Sequence, residues 1–142
     1  MGTWTVITRL DQYGHHDHIG AVPGYANAYG DSIHTTAVTA DTADDAIGQA
    51  REAFRTVGPN QILANTNTPP PADQWTVVGL ADNGGCASCR VTAVIEGEHE
   101  AQGHRDSMLS HRWTRVVDAP TAEEAVSAGY LAAAAVYDAT WN

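Results

Sequence analysis

The residues best equipped for chemistry fall in two short stretches. "GCASC", Gly85 to Cys89, holds the only two cysteines of the 142-residue chain. "GHHDH", Gly14 to His18, holds three of its seven histidines. Cys86 lies eleven residues after Trp75, and His15 lies eleven after Trp4. Cys89 and His18 each follow those tryptophans by fourteen. A Cys-x-x-Cys turn aims two thiolates at one metal, and a closed structural zinc site needs four ligands. Cys86, Cys89, His15 and His18 are therefore the candidate ligands of one Cys₂His₂ zinc, provided that the two turns meet; the alternative is a solvated histidine loop and two cysteines that serve only as small turn residues. His99, His104 and His111 are the rival partners of the cysteine pair. A redox motif of the thioredoxin type would open a helix, whose N-terminus lowers the thiol pKa. Here "CASC" runs into "RVTAVIE", which alternates like a strand, so the spacing favours metal over redox chemistry.

The segment "EGEHEAQGHRDSMLSH", residues 96–111, is the other polar concentration. Glu96, Glu98 and Glu100 would share one face of an extended chain. His99, His104, Arg105 and Asp106 are acid–base groups, but no spacing orders them as nucleophile, base and orienter. A long polar connection between two strands accounts for them. Neither a phosphate-binding glycine loop nor a nucleophile elbow occurs.

The elements that carry these stretches are written twice. "WTVITRLDQYG" at Trp4–Gly14 matches "WTVVGLADNGG" at Trp75–Gly85, and "AVTADTADDAI" at Ala37–Ile47 matches "VVDAPTAEEAV" at Val116–Val126. The offset is 71 at the start and 79 at the end, which puts about eight extra residues between Val94 and Arg112. In each copy a Thr-x-x-acid capping box, Thr42/Asp45 and Thr121/Glu124, opens a helix. Ala43, Ala46, Ile47, Ala50, Ala53, Phe54 and Val57 form its apolar stripe, and the same stripe recurs as Ala122, Ala125, Val126, Gly129, Ala132, Ala133 and Val136. Trp4–Leu10, Ile19–Val22 and Ile33–Thr39 read as strands, as do Trp75–Ala81, Arg90–Glu96 and Arg112–Asp118. The expected fold is α+β: a tandem duplication of a β-β-β-α unit, with antiparallel sheets, one helix per repeat and a pseudo-twofold relation. The first repeat covers 1–63, a Pro-rich linker 64–74 and the second repeat 75–142, with its insert at about 96–111.

The helices differ on their outer faces. The first shows Asp44, Gln49, Arg51, Glu52 and Arg55. The second is apolar nearly all round, which marks a helix covered on more than one side. Tyr130, Leu131 and Tyr137 are its candidate interaction surface, to be buried within the chain or against another copy.

The repeat pattern, a strand ending in Val-x-Ala followed by Thr-x-acid-acid-Ala, resembles small uncharacterised proteins of actinobacteria and their phages. The resemblance spans both halves and implies no activity. The strand order also resembles the core of double-stranded RNA-binding domains. Their helix starts basic, whereas Asp44, Asp45, Glu123 and Glu124 stand here, and that function is excluded.

The net charge is −10, with seven arginines and no lysine. It disfavours binding to a phosphate backbone, which depends on basic residues displacing counterions. It favours a basic protein surface or self-association, with no nucleic acid and no membrane. No apolar run reaches the roughly 18 residues of a membrane span, and no basic and apolar leader opens the chain. A cytoplasmic location is expected. The reading as a whole is a non-catalytic binding or interaction protein of a high-GC bacterium or its phage. Its alternatives are a metal-assisted hydrolase and a structural component of a phage or other assembly.

Overall fold

The computed structural model describes residues 2–10, 16–30, 32–55, 71–82, 90–103 and 110–141, and of residues 81–82, 90, 110–111 and 132–141 the backbone alone. Its elements are β1 (Gly2–Leu10), β2 (His16–Pro23), β3 (Ala28–Tyr29), β4 (Ile33–Ala40), α1 (Ala43–Arg55), β5 (Gln74–Asp82), β6 (Arg90–Glu96), β7 (Ser110–Asp118) and α2 (Ala122–Trp141). The fold is α+β, with two antiparallel sheets and two helices. One sheet has the order β2-β1-β4 and the other β3-β6-β5-β7.

Each central strand opens its core run with Trp-Thr-Val, continued by Ile and Thr in β1 and by Val in β5, and branched and aromatic side chains pack well on a pleated surface. Each central strand pairs with the strand after it through one bulge, between Ile7 and Thr8 in β1 and between Val78 and Gly79 in β5. On their other edges the two run in regular register. Trp4 faces Val38 in one sheet, and Trp75 faces Val117 in the other.

Two features depart from a simple β-β-β-α reading. First, β2 begins at His16, so His16, Asp17 and His18 belong to a strand and not to the turn. Second, the short β3 joins the other half's sheet: Tyr29 pairs with Val94 of β6. The exchange is returned, because Gln102 pairs with Ala21 of β2 through two backbone hydrogen bonds of 2.9 and 2.8 Å. Each hairpin edge is thus closed by a segment of the opposite half, which covers its unpaired amides. The start of the 96–111 segment is therefore part of the sheet framework.

A buried threonine fixes each exchanged segment. Thr5 Oγ1 donates to the Gly24 carbonyl (2.7 Å) and accepts from the Ala26 amide (3.1 Å). Thr76 Oγ1 donates to the Gly97 carbonyl and accepts from the His99 amide, both at 2.8 Å. The chain turns there through Gly24 and Gly97, at φ of 80° and 86°, where a Cβ would be strained.

Among the described residues the core forms three clusters, which lie between four layers. Ile7, Ile19, Ile33, Val78 and Ile95 fill the space between the sheets. Val6, Ala46, Ile47 and Ala50 join the first sheet to α1. Trp75, Val77, Val94 and Ala125 join the second to α2. Both helices are capped as the sequence implies, by Thr42 Oγ1 to the Asp45 amide (3.1 Å) and Thr121 Oγ1 to the Glu124 amide (3.2 Å). Each central strand is also tied to its helix entry by an indole. Trp4 Nε1 donates to the Ala40 carbonyl and Trp75 Nε1 to that of Ala119, at 3.1 and 3.0 Å.

Candidate functional site

Of the four expected zinc ligands, His15, Cys86 and Cys89 lie outside the described residues. His18 is on β2, is buried, and has Nδ1 2.8 Å from Thr8 Oγ1. The ladders also change the alignment read from the sequence. His18 faces Thr8, whereas Gly79, which stands where Thr8 does after its tryptophan, faces Val91. The position matching His18 is thus Val91 and not Cys89, because the turn between β5 and β6 is longer by two residues. Among the rival ligands, His104 lies outside the described residues, as does the side chain of His111. His99 turns back on its own strand end, with Nε2 2.9 Å from the Glu96 carbonyl. Among the described residues no group of three or more His, Cys, Asp or Glu is arranged to hold a metal ion.

The structure does gather histidines, around an aromatic ring. His16, His18 and His34 sit edge-on to Phe54, with ring centroids 4.9, 5.3 and 5.6 Å away. They form a row across β2 and β4, under the last turn of α1, and they close the end of that helix's core.

The expected interaction surface divides differently. Leu131 is 74% exposed and Tyr130 44% exposed. The side chain of Tyr137 lies outside the described residues. Burial of this surface within the chain, one of the two sequence expectations, is overturned for Tyr130 and Leu131. The opposite face of α2 lies so close to β5 that a methyl at Gly129 would stand 2.6 Å from a Val77 methyl. That closeness turns Tyr130 and Leu131 outward.

Next to Tyr130 a cleft of about 500 Å³ opens between α2, β6 and β3. Its polar lining is Arg9, Tyr29, Thr92, Glu123, Ser127 and Tyr130. Val91, Ala93 and Val126 supply its apolar surface. Arg9 comes from β1, on the sheet face that looks toward the second sheet. Its Nε is buried without a hydrogen-bond partner, and so is Thr92 Oγ1, in a residue that is 7% exposed. The Tyr29 hydroxyl has its pKa raised, first by burial and second by the nearby Glu96 carboxylate. Glu123 is in the first turn of α2, where an acid suits the helix dipole.

The sequence reading missed this cleft. Its one visible signal was Arg9, a charge in a strand whose counterpart after Trp75 is the apolar Leu80. Comparison with known proteins finds no matching family model, no similar curated protein and no similar solved structure. No helix among the described residues is long and apolar enough to cross a membrane.

Proposed function

We propose that this is a non-catalytic interaction protein, a tandem duplication of a β-β-β-α unit whose second helix is the contact face. Support for the duplication comes from the ladders. Trp4 and Trp75, Gly20 and Ala93, and Ile33 and Arg112 occupy matching register positions, at offsets of 71, 73 and 79. The exchanged pairs Tyr29–Val94 and Gln102–Ala21 match at the middle offset of 73. The eight extra residues of the second copy thus divide into two in its first turn and six beyond Gly103.

One observation carries the functional reading. At the helical offset of 79, Tyr130 and Leu131 stand where Arg51 and Glu52 stand on α1. One unit keeps a charged outer face and the other has replaced it with apolar groups, of which Leu131 is the most exposed. Burying a leucine is worth about 1.5–3 kcal/mol, so such an exchange is an interface signature. The partner is a second copy, whose α2 offers the same surface. With a net charge of −10 the association weakens at low salt, where repulsion is least screened.

Light scattering over a range of concentrations tests this reading. The expected outcome is a dimer that becomes a monomer when Tyr130→Arg and Leu131→Glu restore the pattern of α1. A wild-type monomer at all concentrations and salt levels contradicts self-association through α2.

A further inference from the structure

We infer that the cleft between α2, β6 and β3 binds a small monoanionic carboxylate with a flat apolar body. Two hydrogen-bonding groups without partners, Arg9 Nε and Thr92 Oγ1, lie in the wall of one cleft. Buried polar groups are ordinarily satisfied, and each exception calls for an explanation. Two of them in one cleft of about 500 Å³ point to a ligand that supplies the acceptor. A guanidinium presents its N–H donors in a planar fork that fits a carboxylate. In a chain of net charge −10, Arg9 has no acid partner among the described residues, and the ligand's carboxylate fills that role. The Thr92 hydroxyl donates beside it.

The opposite half shows what this place looks like when it is closed. Along the ladders, Arg9 and Thr92 correspond to Leu80 and Ile19, both buried. Gly30 corresponds to Gly103, and Ile47 of α1 presses so closely on Gly103 that a Cβ there would collide with its Cδ1. Arg112 fills the remaining space and satisfies Nη1 on the carbonyls of Ile19 and Gly103, at 3.0 and 3.1 Å. The closed side therefore holds apolar side chains and an arginine with acceptors. The open side holds an arginine whose Nε has none, with Tyr29 and Tyr130 at its rim. The rings and Val126 suit a flat apolar body. Glu123 in the lining selects against a second negative charge.

Ligand-observed NMR with sodium benzoate as the probe, and the isosteric neutral benzamide as control, tests the inference. Benzoate should bind with a dissociation constant on the order of 1 mM, which is ordinary for so small a molecule, and at least about fivefold more tightly than benzamide. Arg9→Gln should weaken benzoate about tenfold and Thr92→Val about threefold. Glu123→Gln, an exposed change that leaves the core alone, should tighten benzoate about twofold and the dianion isophthalate by more. Benzoate that binds no better than benzamide, or whose affinity is unchanged in Glu123→Gln, overturns the proposal even if Arg9→Gln fails to fold. The titration repeated on the Leu131→Glu protein separates this site from self-association, since a carboxylate site persists there whichever way the dimer experiment turns out.

Discussion

The two sheet–helix pairs are held by the same inner contacts and differ where they meet solvent. On both sides a threonine caps the helix, an indole ties the central strand to the helix entry, and a second threonine holds the exchanged segment. Beyond these ties the sides diverge. Under the last turn of α1, three histidines pack around Phe54; the second sheet has Val91 and Trp113 where His18 and His34 stand. The half-buried Arg51 and the exposed Glu52 stand on the outer side of α1, and the exposed Tyr130 and Leu131 on that of α2. The lesson is that the contacts which set register are the same on both sides, while the outer helix face and the space between helix and hairpin differ in polarity.

The comparison is tested most strongly at the tryptophans. Trp75 is fully buried, while Trp4 is only half-buried, although both make the same indole bond. Trp75→Ala should cost about 3–5 kcal/mol, in the range for a buried aromatic, and Trp4→Ala about half of that. Urea unfolding followed by circular dichroism measures both. Equal losses would mean that the second half is not the more deeply anchored of the two.

The threonine ties come next in size. Thr5→Val and Thr76→Val each leave a glycine carbonyl and a backbone amide without their partner, at about 1–2 kcal/mol. The two losses should agree within about 0.5 kcal/mol, the scatter of ordinary substitutions. A loss confined to one side would show that the exchange of segments is not energetically reciprocal, whatever its geometry.

Much of this framework was legible because it is local. The capping boxes at Thr42 and Thr121 mark the helix starts within a few residues of chain. The alternation of Val and Thr after each tryptophan marks the central strands. The short β3 was not legible, since two residues carry no periodic signal and its partner strand lies in the other half. The start of β2 was hidden because His16 and His18, polar in a sequence, turn their rings onto Phe54, while His18 also meets the Thr8 hydroxyl. Equal spacing from the tryptophans misaligned His18 with Cys89, since the second turn is longer by two residues while the bulges match. The cleft needed three separate segments to be brought together, and Arg9 alone does not announce it.

Gly129 gives a smaller effect with a defined sign. Alanine is ordinarily favoured over glycine within a helix by about 1 kcal/mol. Here the added methyl meets Val77 at 2.6 Å, and overpacking of that kind costs about 1–3 kcal/mol. Gly129→Ala should therefore be destabilising, by about 1 kcal/mol. On α1 the matching residue is the buried Ala50, and Ala50→Gly should be destabilising through helix propensity. Thermal unfolding of both variants checks the pair. A stabilising Gly129→Ala would show that α2 can retreat from β5, and the outward turn of Tyr130 and Leu131 would then lose its explanation.

The smallest effect separates Tyr29 from its counterpart Gln102, which occupies the same place in the exchange and does not titrate. The folded protein holds the Tyr29 phenol protonated beyond its ordinary value of 10.0, chiefly through burial and secondly through the Glu96 carboxylate. The unfolded chain releases that proton first, so above pH 10 the folded state binds more protons than the unfolded one. Stability from this group is fully present below the ordinary value and is lost as pH rises through the raised one. Urea midpoints measured from pH 8 to 11 should therefore fall more steeply for the wild type than for Tyr29→Phe. Glu96→Gln should keep most of the fall, because burial is the larger cause. If Glu96→Gln removes it entirely, the carboxylate and not the closing of the hairpin edge governs Tyr29. If Tyr29→Phe declines in parallel with the wild type, the phenol is as well hydrated as in the unfolded chain, and the exchanged segment does not shield it.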